Sequence, residues 1–480
     1  MGLALGPAAA LAVMLSPIPG LERDAHLLAG VVALVVVWWV TEALPLAVTA
    51  LSGAVLMVVL GVAGAERAFS AFGSEVVFLF IGSFVLARAM SVHGLDRRMA
   101  YSLLSLPLVE RSPLAFLAAF GLAAAALSMW VSNTATAAML LPVALAVGPH
   151  MAGEADDRAG PRSHRYTVAL LFMLAYASSL GGLATPVGTP PNLIGIAFLR
   201  EQGGVDITFL EWVRTALPLT GLMLVVVFAL VAAVYRPSLA QAPREQGYFR
   251  GQLRALGPVT AGERNVLVAF VAAVCLWVLP GAAAAIAGEG SPLYVTLRAR
   301  LPEGAVAVGA AALLFVLPVD WKKRRATLTW EQAASIDWGT VLLFGGGIAL
   351  GRAMADTGLA LALGEALVKG TGLTGVKGIT GAAVASGLIV SEAASNTASA
   401  NIVVPVMLSL SQAAGVAVTA PALGATMGAS FGFMLPVSTP PNALIYGTGR
   451  VTMLQMVRNG VLLDVTGGLV LWAYLVLIVA

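Results

Sequence analysis

Ser132-Asn133-Thr134-Ala135, followed by Thr189-Pro190-Pro191-Asn192, recurs as Ser395-Asn396-Thr397-Ala398 followed by Thr439-Pro440-Pro441-Asn442. Each stretch is small, polar and helix-breaking, and each lies inside apolar surroundings. Irregular polar backbone in a bilayer is costly unless it lines a cavity or is buried in protein. Matching breaks in two halves of one chain point to a transporter's binding site.

The surroundings are apolar throughout. Of 480 residues 59% are hydrophobic and only 11% charged, against about 25% charged in soluble proteins. A soluble fold could not hide that much apolar surface, so the chain reads as an all-α polytopic membrane protein. Glycine, with 52 residues, is abundant, as close helix packing in membranes favours. A net charge of +3 gives no reason to expect a nucleic-acid partner. The single cysteine, Cys275, allows no intrachain disulfide and is expected to be a small buried hydrophobe. Residues 3–18 have the length of a signal peptide but no basic start and no convincing cleavage site. They read as a retained first span.

Apolar runs long enough to cross a bilayer fall near 3–20, 28–43, 45–63, 75–92, 166–198, 215–235, 264–286, 304–319, 340–356, 417–447 and 460–479. That makes about 11 transmembrane helices. The runs at 113–148 and 376–412 are bisected by Ser-Asn-Thr. Each fits a re-entrant helical hairpin with the polar motif at its tip.

The halves repeat. Leu86-Ala87-Arg88-Ala89-Met90 returns as Leu350-Gly351-Arg352-Ala353-Met354, and Gly94-Leu95 as Gly358-Leu359. Arg88 and Arg352 stand 264 residues apart, Ser132 and Ser395 263, and Thr189 and Thr439 250. The drop matches an extra polar loop at 151–165 in the first half. With the N-terminus inside, the cytoplasmic loops collect most of the 27 basic residues, including Arg97, Arg98, Arg111, Arg158, Arg244 and Lys322 to Arg325. This bias fits the positive-inside rule, with the C-terminus outside. It also gives the two repeats opposite orientations, so one hairpin enters from each side.

A half-helix that starts inside the membrane presents free N–H groups and a partial positive charge to an anion. A half-helix that ends there presents carbonyls to a hard cation. Ser128, Ser132 and Asn133 can add side-chain oxygens to the cation side, as can Ser391, Ser395 and Asn396. Thr189 and Thr439 suit N-caps, and Pro190 and Pro440 suit the first helical position. Such residues can also merely glue or kink helices; two inverted copies carrying both motifs argue against that.

These paired motifs resemble the divalent anion/sodium symporter family of dicarboxylate and citrate transporters, over essentially the whole chain after the first span. The resemblance implies a homodimer with a fixed scaffold around two mobile transport domains, working as an elevator. It implies sodium ions at Ser128, Ser132, Asn133 and Gly188, and at Ser391, Ser395, Asn396 and the backbone near Ser438. It places substrate carboxylates at Asn133, Thr134, Thr189 and Pro190, and at Asn396, Thr397, Thr439 and Pro440. The parts would be 1–24, a first span; 25–112 and 264–375, scaffold; 113–235 and 376–480, transport parts; and 236–263, a cytoplasmic linker. Short loops suggest a prokaryote and its cytoplasmic (inner) membrane.

Other polar residues carry plainer expectations. The four histidines, His26, His93, His150 and His164, are too scattered for a metal site. Glu42 reads as a helix-end residue. Arg88 and Arg352 read as snorkelling or inter-helix pairing residues. Glu392 is expected to face away from a dianion. The favoured function is sodium-coupled symport of a C4 dicarboxylate. Alternatives are a sodium-independent dicarboxylate exchanger and a carrier of sulfate or another divalent anion. An enzyme is disfavoured, because no nucleophile–base pair or metal cluster is apparent.

Overall fold

The computed structural model describes residues 2–18, 20–106, 112–151, 161–237 and 247–480. Arg111, Arg158 and Arg244 of the orientation argument lie outside them, as does most of the 151–165 insertion.

The first half opens with α1 (Gly2–Leu15), α2 (Arg23–Val40), α3 (Leu46–Val59) and the short α4 (Ala65–Ser70), then α5 (Glu75–His93) and α6 (Leu95–Leu104). The first Ser-Asn-Thr separates α7 (Pro113–Ser128) from α8 (Asn133–Met151), and the first Thr-Pro-Pro-Asn separates α9 (Pro161–Gly181) from α10 (Pro190–Glu201). Then come α11 (Phe209–Tyr235), α12 (Tyr248–Ala255), α13 (Ala261–Ala287), α14 (Pro292–Arg300) and α15 (Glu303–Val316). A ribbon of β1 (Pro318–Asp320) and β2 (Arg325–Ala326) leads to α16 (Trp330–Ala334), α17 (Trp338–Asp356) and α18 (Leu359–Thr371). The second pair of breaks divides α19 (Val376–Ala393) from α20 (Asn396–Ala413) and α21 (Thr419–Gly428) from α22 (Pro440–Gly447); α23 (Met453–Ile478) closes the chain.

Local chemistry accounts for the boundaries. Thr208 with Glu211, Thr260 with Glu263, Thr329 with Gln332 and Thr452 with Gln455 form capping boxes that start α11, α13, α16 and α23. The α5–α6 and α17–α18 corners turn on Gly94 (φ 72°) and Gly358 (φ 74°), left-handed positions that glycine occupies without strain. The same corner therefore recurs where the sequence repeats.

The expectation of an all-α chain needs one amendment. Pro318 pairs with Ala326 and Asp320 with Arg325, because the Asp320 carboxylate accepts from the Lys322 and Lys323 amides and tightens the intervening turn. Eight helices among the described residues are long and apolar enough to cross a membrane, or nine if the bent α14–α15 pair is one span. The protein is thus an integral membrane protein. α1 and α3 have 14 residues each, about 21 Å of helix, short of the ~30 Å hydrocarbon core.

Cys275 is exposed, contrary to expectation. It continues the outward stripe of Leu267, Val271 and Leu279 on α13, and a small thiol is compatible with an apolar outer face.

Small residues let the helices close on one another. A Cβ at Gly82 would lie 2.4 Å from the Ala307 carbonyl carbon, where α5 meets α15. The arms α19 and α20 fold back side by side: Ser399 donates to the Gly387 carbonyl at 2.9 Å. Along one continuous helix those residues would be about 18 Å apart.

Candidate functional site

The first break is built around Ser128 and Asn133. Ser128 is fully buried at the end of α7 and donates to Asn133 Oδ1 at 2.7 Å. Ser132 Oγ accepts from the Ala135 amide at 3.2 Å and caps α8. Thr185 Oγ1 donates to the Met129 carbonyl at 2.5 Å, which ties the loop after α9 to the end of α7. A Cβ on Gly188 would lie 2.5 Å from the Gly182 carbonyl oxygen and 3.0 Å from that of Met129. One on Gly182 would lie 2.5 Å from Asn133 Oδ1. Oxygens therefore crowd a space that glycine alone leaves open.

The second break repeats this arrangement. Ser391, fully buried, donates to the Ala429 carbonyl at 2.7 Å, and Ser395 Oγ caps α20 through the Ala398 amide at 3.2 Å. The Asn396 amide faces Ser391 Oγ at 2.8 Å, the Ser438 carbonyl at 3.2 Å and the Ala429 carbonyl at 3.3 Å. Turned one way it donates to them; turned the other it completes a ring of four oxygens. Gly432 takes the place of Gly182: a Cβ there would lie 3.0 Å from Ser391 Oγ.

The two copies differ at the threonines. Thr439 Oγ1 accepts from the Asn442 amide at 3.4 Å. Thr189 holds the N-cap position of α10 but makes no side-chain cap, contrary to expectation. The Asn192 amide bonds instead to the Thr189 carbonyl at 3.2 Å, which leaves that hydroxyl available to the cavity.

Both breaks open on one cavity of about 860 Å³. It is lined by Asn133, Thr134, Thr189 and Pro190 of the first copy and Asn396, Thr397, Thr439 and Pro440 of the second. Ser132, Gly188, Ser395 and Ser438 also line it, whereas Ser128 and Ser391 sit behind the wall as buried oxygens. The N-termini of α8, α10, α20 and α22 thus share one space. Four sets of orphan N–H groups with their partial positive charge suit an anion.

The rest of the wall includes Glu42, Ser83, Arg88 and Ser91 of α5, and Asp337 and Thr340 at the start of α17. A second cavity of about 540 Å³ adjoins at Arg88, Ser91 and Ala135 and reaches Arg97 and Tyr101.

The two repeat arginines part company here. Arg352 pairs with Glu201, with Nε 2.7 Å from Oε2. Arg88 was expected to pair or snorkel in the same way. Among the described residues it has no such partner, and it faces the cavity as the only Lys or Arg of the lining.

Glu392 faces away from the cavity, as expected, but it is buried. It accepts from the Met434 amide at 2.8 Å, the Leu435 amide at 3.0 Å and Ser438 Oγ at 2.6 Å. Sequence reasoning also missed Asn192 and Asn442 as braces. Asn192 Nδ2 donates to the Gly182 and Thr185 carbonyls, both at 2.8 Å. Asn442 Nδ2 donates to those of Gly432 and Leu435 at 3.0 and 3.1 Å. Their place in both Thr-Pro-Pro-Asn motifs was the available signal. His26 and His93 bond to the Val13 and Thr327 carbonyls, and no cluster of three or more His, Cys, Asp or Glu occurs among the described residues.

The chain is similar to several known proteins. Residues 2–479 match the sodium:sulfate symporter transmembrane region family. The chain is 31% identical over 464 residues to the sodium-dependent dicarboxylate transporter SdcS of Staphylococcus saprophyticus, covering 96% of this chain and 87% of the relative. It is 32% identical over 465 residues to SdcS of a Staphylococcus aureus strain, with the same coverage. Among solved structures, the Alcanivorax borkumensis YdaH transporter aligns with a TM-score of 0.52 at 16% identity, over 88% of this chain and 87% of that one. Neisseria gonorrhoeae MtrF aligns with a TM-score of 0.52 at 13% identity, over 95% of each chain. These last two likenesses speak to the fold alone. The chain belongs to the divalent anion/sodium symporter family, matched through its sodium:sulfate symporter transmembrane region, and is a transporter rather than an enzyme.

Proposed function

We propose that this protein carries a C4 dicarboxylate of the succinate, malate or fumarate type across the prokaryotic cytoplasmic membrane by sodium-coupled symport. The observation that carries the reading is the convergence of four half-helix N-termini on one cavity, with an oxygen cluster behind each Ser-Asn-Thr tip. One carboxylate meets Asn133, Thr134 and Thr189 with Pro190 starting α10, and the other meets Asn396, Thr397 and Thr439 with Pro440 starting α22. Sodium ions bind at Ser128, Ser132, Asn133 and Gly188, and at Ser391, Ser395, Asn396 and the Ser438 carbonyl. Helix ends supply only about half a charge each, and an uncompensated buried dianion is costly. Sodium therefore binds first and creates the anion site. The names of the staphylococcal relatives support the sodium and dicarboxylate assignments.

In this reading the chain crosses the membrane about eleven times, and the α7–α8 and α19–α20 pairs are re-entrant hairpins of two inverted repeats. The transport parts, 113–235 and 376–480, move as an elevator against the scaffold, 25–112 and 264–375, within a homodimer. The N-terminus lies inside and the C-terminus outside. The cavity wall at Glu42, Arg88 and Asp337 then belongs to the cytoplasmic side.

The test is radiolabelled succinate uptake into proteoliposomes. Uptake rises sigmoidally with external sodium and resists excess sulfate. Equal uptake with choline in place of sodium, stimulated by internal dicarboxylate, would establish an exchanger. Strong competition by sulfate would reassign the substrate.

A further inference from the structure

The β1–β2 ribbon takes no part in the two adjoining cavities, and its turn is strongly cationic. Trp321, Lys322, Lys323, Arg324 and Arg325 follow one another there, and all five are exposed. Trp321 is 81% exposed, although an indole is highly buried on average. Trp330, at the start of α16, is exposed as well. Among the described residues none of the four cations forms an ion pair. The neighbouring acids are otherwise engaged or set apart. Asp320 Oδ1 accepts from the Lys322 and Lys323 backbone amides, Asp337 caps α17 through the Thr340 amide, and Glu331 lies exposed on α16.

Four adjacent like charges repel one another, yet the fold pins them in place. Thr327, buried at the base of the ribbon, donates from its amide to the Leu317 carbonyl at 3.0 Å. Its own carbonyl meets His93 Nε2, at the end of α5, at 2.6 Å. Asn265 Nδ2, near the start of α13, donates to the Pro318 carbonyl at 3.1 Å and to Thr327 Oγ1 at 2.8 Å. Arg324 closes the turn with left-handed backbone (φ 50°), a conformation uncommon outside glycine.

The ribbon also stands at the edge of the membrane. α5 and α13 are long and apolar enough to cross it, as is the bent α14–α15 pair. α15 ends at Val316, and β1 begins at Pro318. The last turn of α15 presents Phe315 and Val316 outward, the second 75% exposed. An apolar outer stripe thus runs into a cationic turn with an indole beside it. Phospholipid offers the complement: acyl chains, then the interfacial level where indoles settle, then phosphate. Basic clusters next to a membrane helix attract anionic headgroups.

We propose that the β1–β2 turn is a binding site for an anionic phospholipid. Lys322, Lys323, Arg324 and Arg325 hold the headgroup, Trp321 sits at the interfacial level, and an acyl chain lies along Phe315 and Val316. A soluble phosphate would meet the cations but leave the indole and the apolar stripe in water. In the orientation proposed above, the lipid belongs to the cytoplasmic leaflet, whose surface is anionic. It anchors the chain shortly before Asp337 and Thr340, which line the substrate cavity.

The experiment titrates delipidated, full-length protein in detergent with phosphatidylglycerol or with phosphatidylcholine of the same chains. Native mass spectrometry counts the bound lipid, and thermal unfolding reads the stabilisation. The wild type retains phosphatidylglycerol in preference and melts several degrees higher with it, less so in high salt. Lys322→Gln, Lys323→Gln, Arg324→Gln and Arg325→Gln combined weaken phosphatidylglycerol binding about tenfold or more. That variant also removes part of the positive-inside signal and can insert wrongly. Trp321→Ala keeps every cation and lowers phosphatidylglycerol affinity severalfold. Equal binding of the two lipids by the wild type, or an undiminished preference in both variants, would overturn the proposal. So would equal stabilisation by inorganic phosphate, since the turn would then serve a soluble anion.

Discussion

Asn192 and Asn442 are the same brace in two places. Each side-chain amide donates to two carbonyls of the loop before its own helix, Gly182 and Thr185 for one, Gly432 and Leu435 for the other. Both residues are fully buried, so neither set of carbonyls can turn to water instead. The brace holds the glycine that leaves room beside Asn133 or Ser391.

Replacing either brace with alanine should destabilise the protein by about 1–3 kcal/mol, since buried carbonyls lose their donors. Thermal unfolding of the detergent-purified variants reads this directly. Asn192→Ala and Asn442→Ala should both melt below the wild type, and sodium should protect them less. An unchanged melting temperature would mean that the loops hold their shape without the brace.

The tip hydroxyls have a different task. Thr134 and Thr397 line the cavity at the first turns of α8 and α20, and neither hydroxyl caps its helix, a role filled by Ser132 and Ser395. Thr134→Ala and Thr397→Ala should each cost about 1.5–3 kcal/mol of carboxylate binding, the usual worth of a hydrogen bond to a charged group. Succinate affinity should fall about tenfold or more, with melting temperature nearly unchanged. Wild-type affinity in both variants would take these residues out of the site.

Arg88 should matter through its field rather than through contact. It is exposed on the cavity wall, where solvent screens it. Arg88→Gln should weaken succinate binding from the Arg88 side by about 1 kcal/mol or less, and the difference should shrink in high salt. Titration of succinate at two ionic strengths in inside-out vesicles checks this. A deficit that ignored salt would argue for direct contact instead.

At the other end of α10, two ion pairs tie the proposed mobile part to the scaffold. Arg200 reaches Glu75 on α5 at 2.7 Å, and Arg352 on α17 holds Glu201. Both pairs are partly exposed, so each is worth about 1 kcal/mol or less. Their common effect is to favour the state with the tips open toward Arg88. Glu201→Gln should shift the balance toward the opposite state, read as faster labelling from outside of a cysteine placed at Val437 in a Cys275→Ala background. Restored slow labelling is not expected from Arg352→Gln alone, which removes the same pair; equal labelling in all variants would remove the latch.

Much of this arrangement is legible in the sequence because it is periodic. The four polar breaks, the Gly94 and Gly358 corners and the convergence of both motif types follow from residues that cannot sit mid-helix in lipid. The different surroundings of Arg88 and Arg352 were not legible. The repeat makes the two arginines look alike, but only one has a glutamate at the end of a neighbouring helix. Thr189 misled for a related reason: the motif is identical to that at Thr439, but a backbone bond takes the amide that its hydroxyl would cap. Cys275 misled because an apolar helix in a membrane protein turns an apolar face outward, so hydrophobicity does not mean burial there.

α9 has a further consequence for how the protein is made. Its apolar stretch is buried from Tyr166 to Ala184, enclosed by α7, α8, α11 and α22. In the finished molecule it touches no lipid, although during synthesis it must enter the bilayer before those neighbours can surround it. Its sequence therefore answers to two solvents in succession. A charge introduced at its centre would first oppose membrane insertion by roughly 2.5–3.5 kcal/mol and then oppose packing. Damage to this helix should consequently surface as protein that is synthesised and cleared before it can assemble, with catalysis of transport never coming into question.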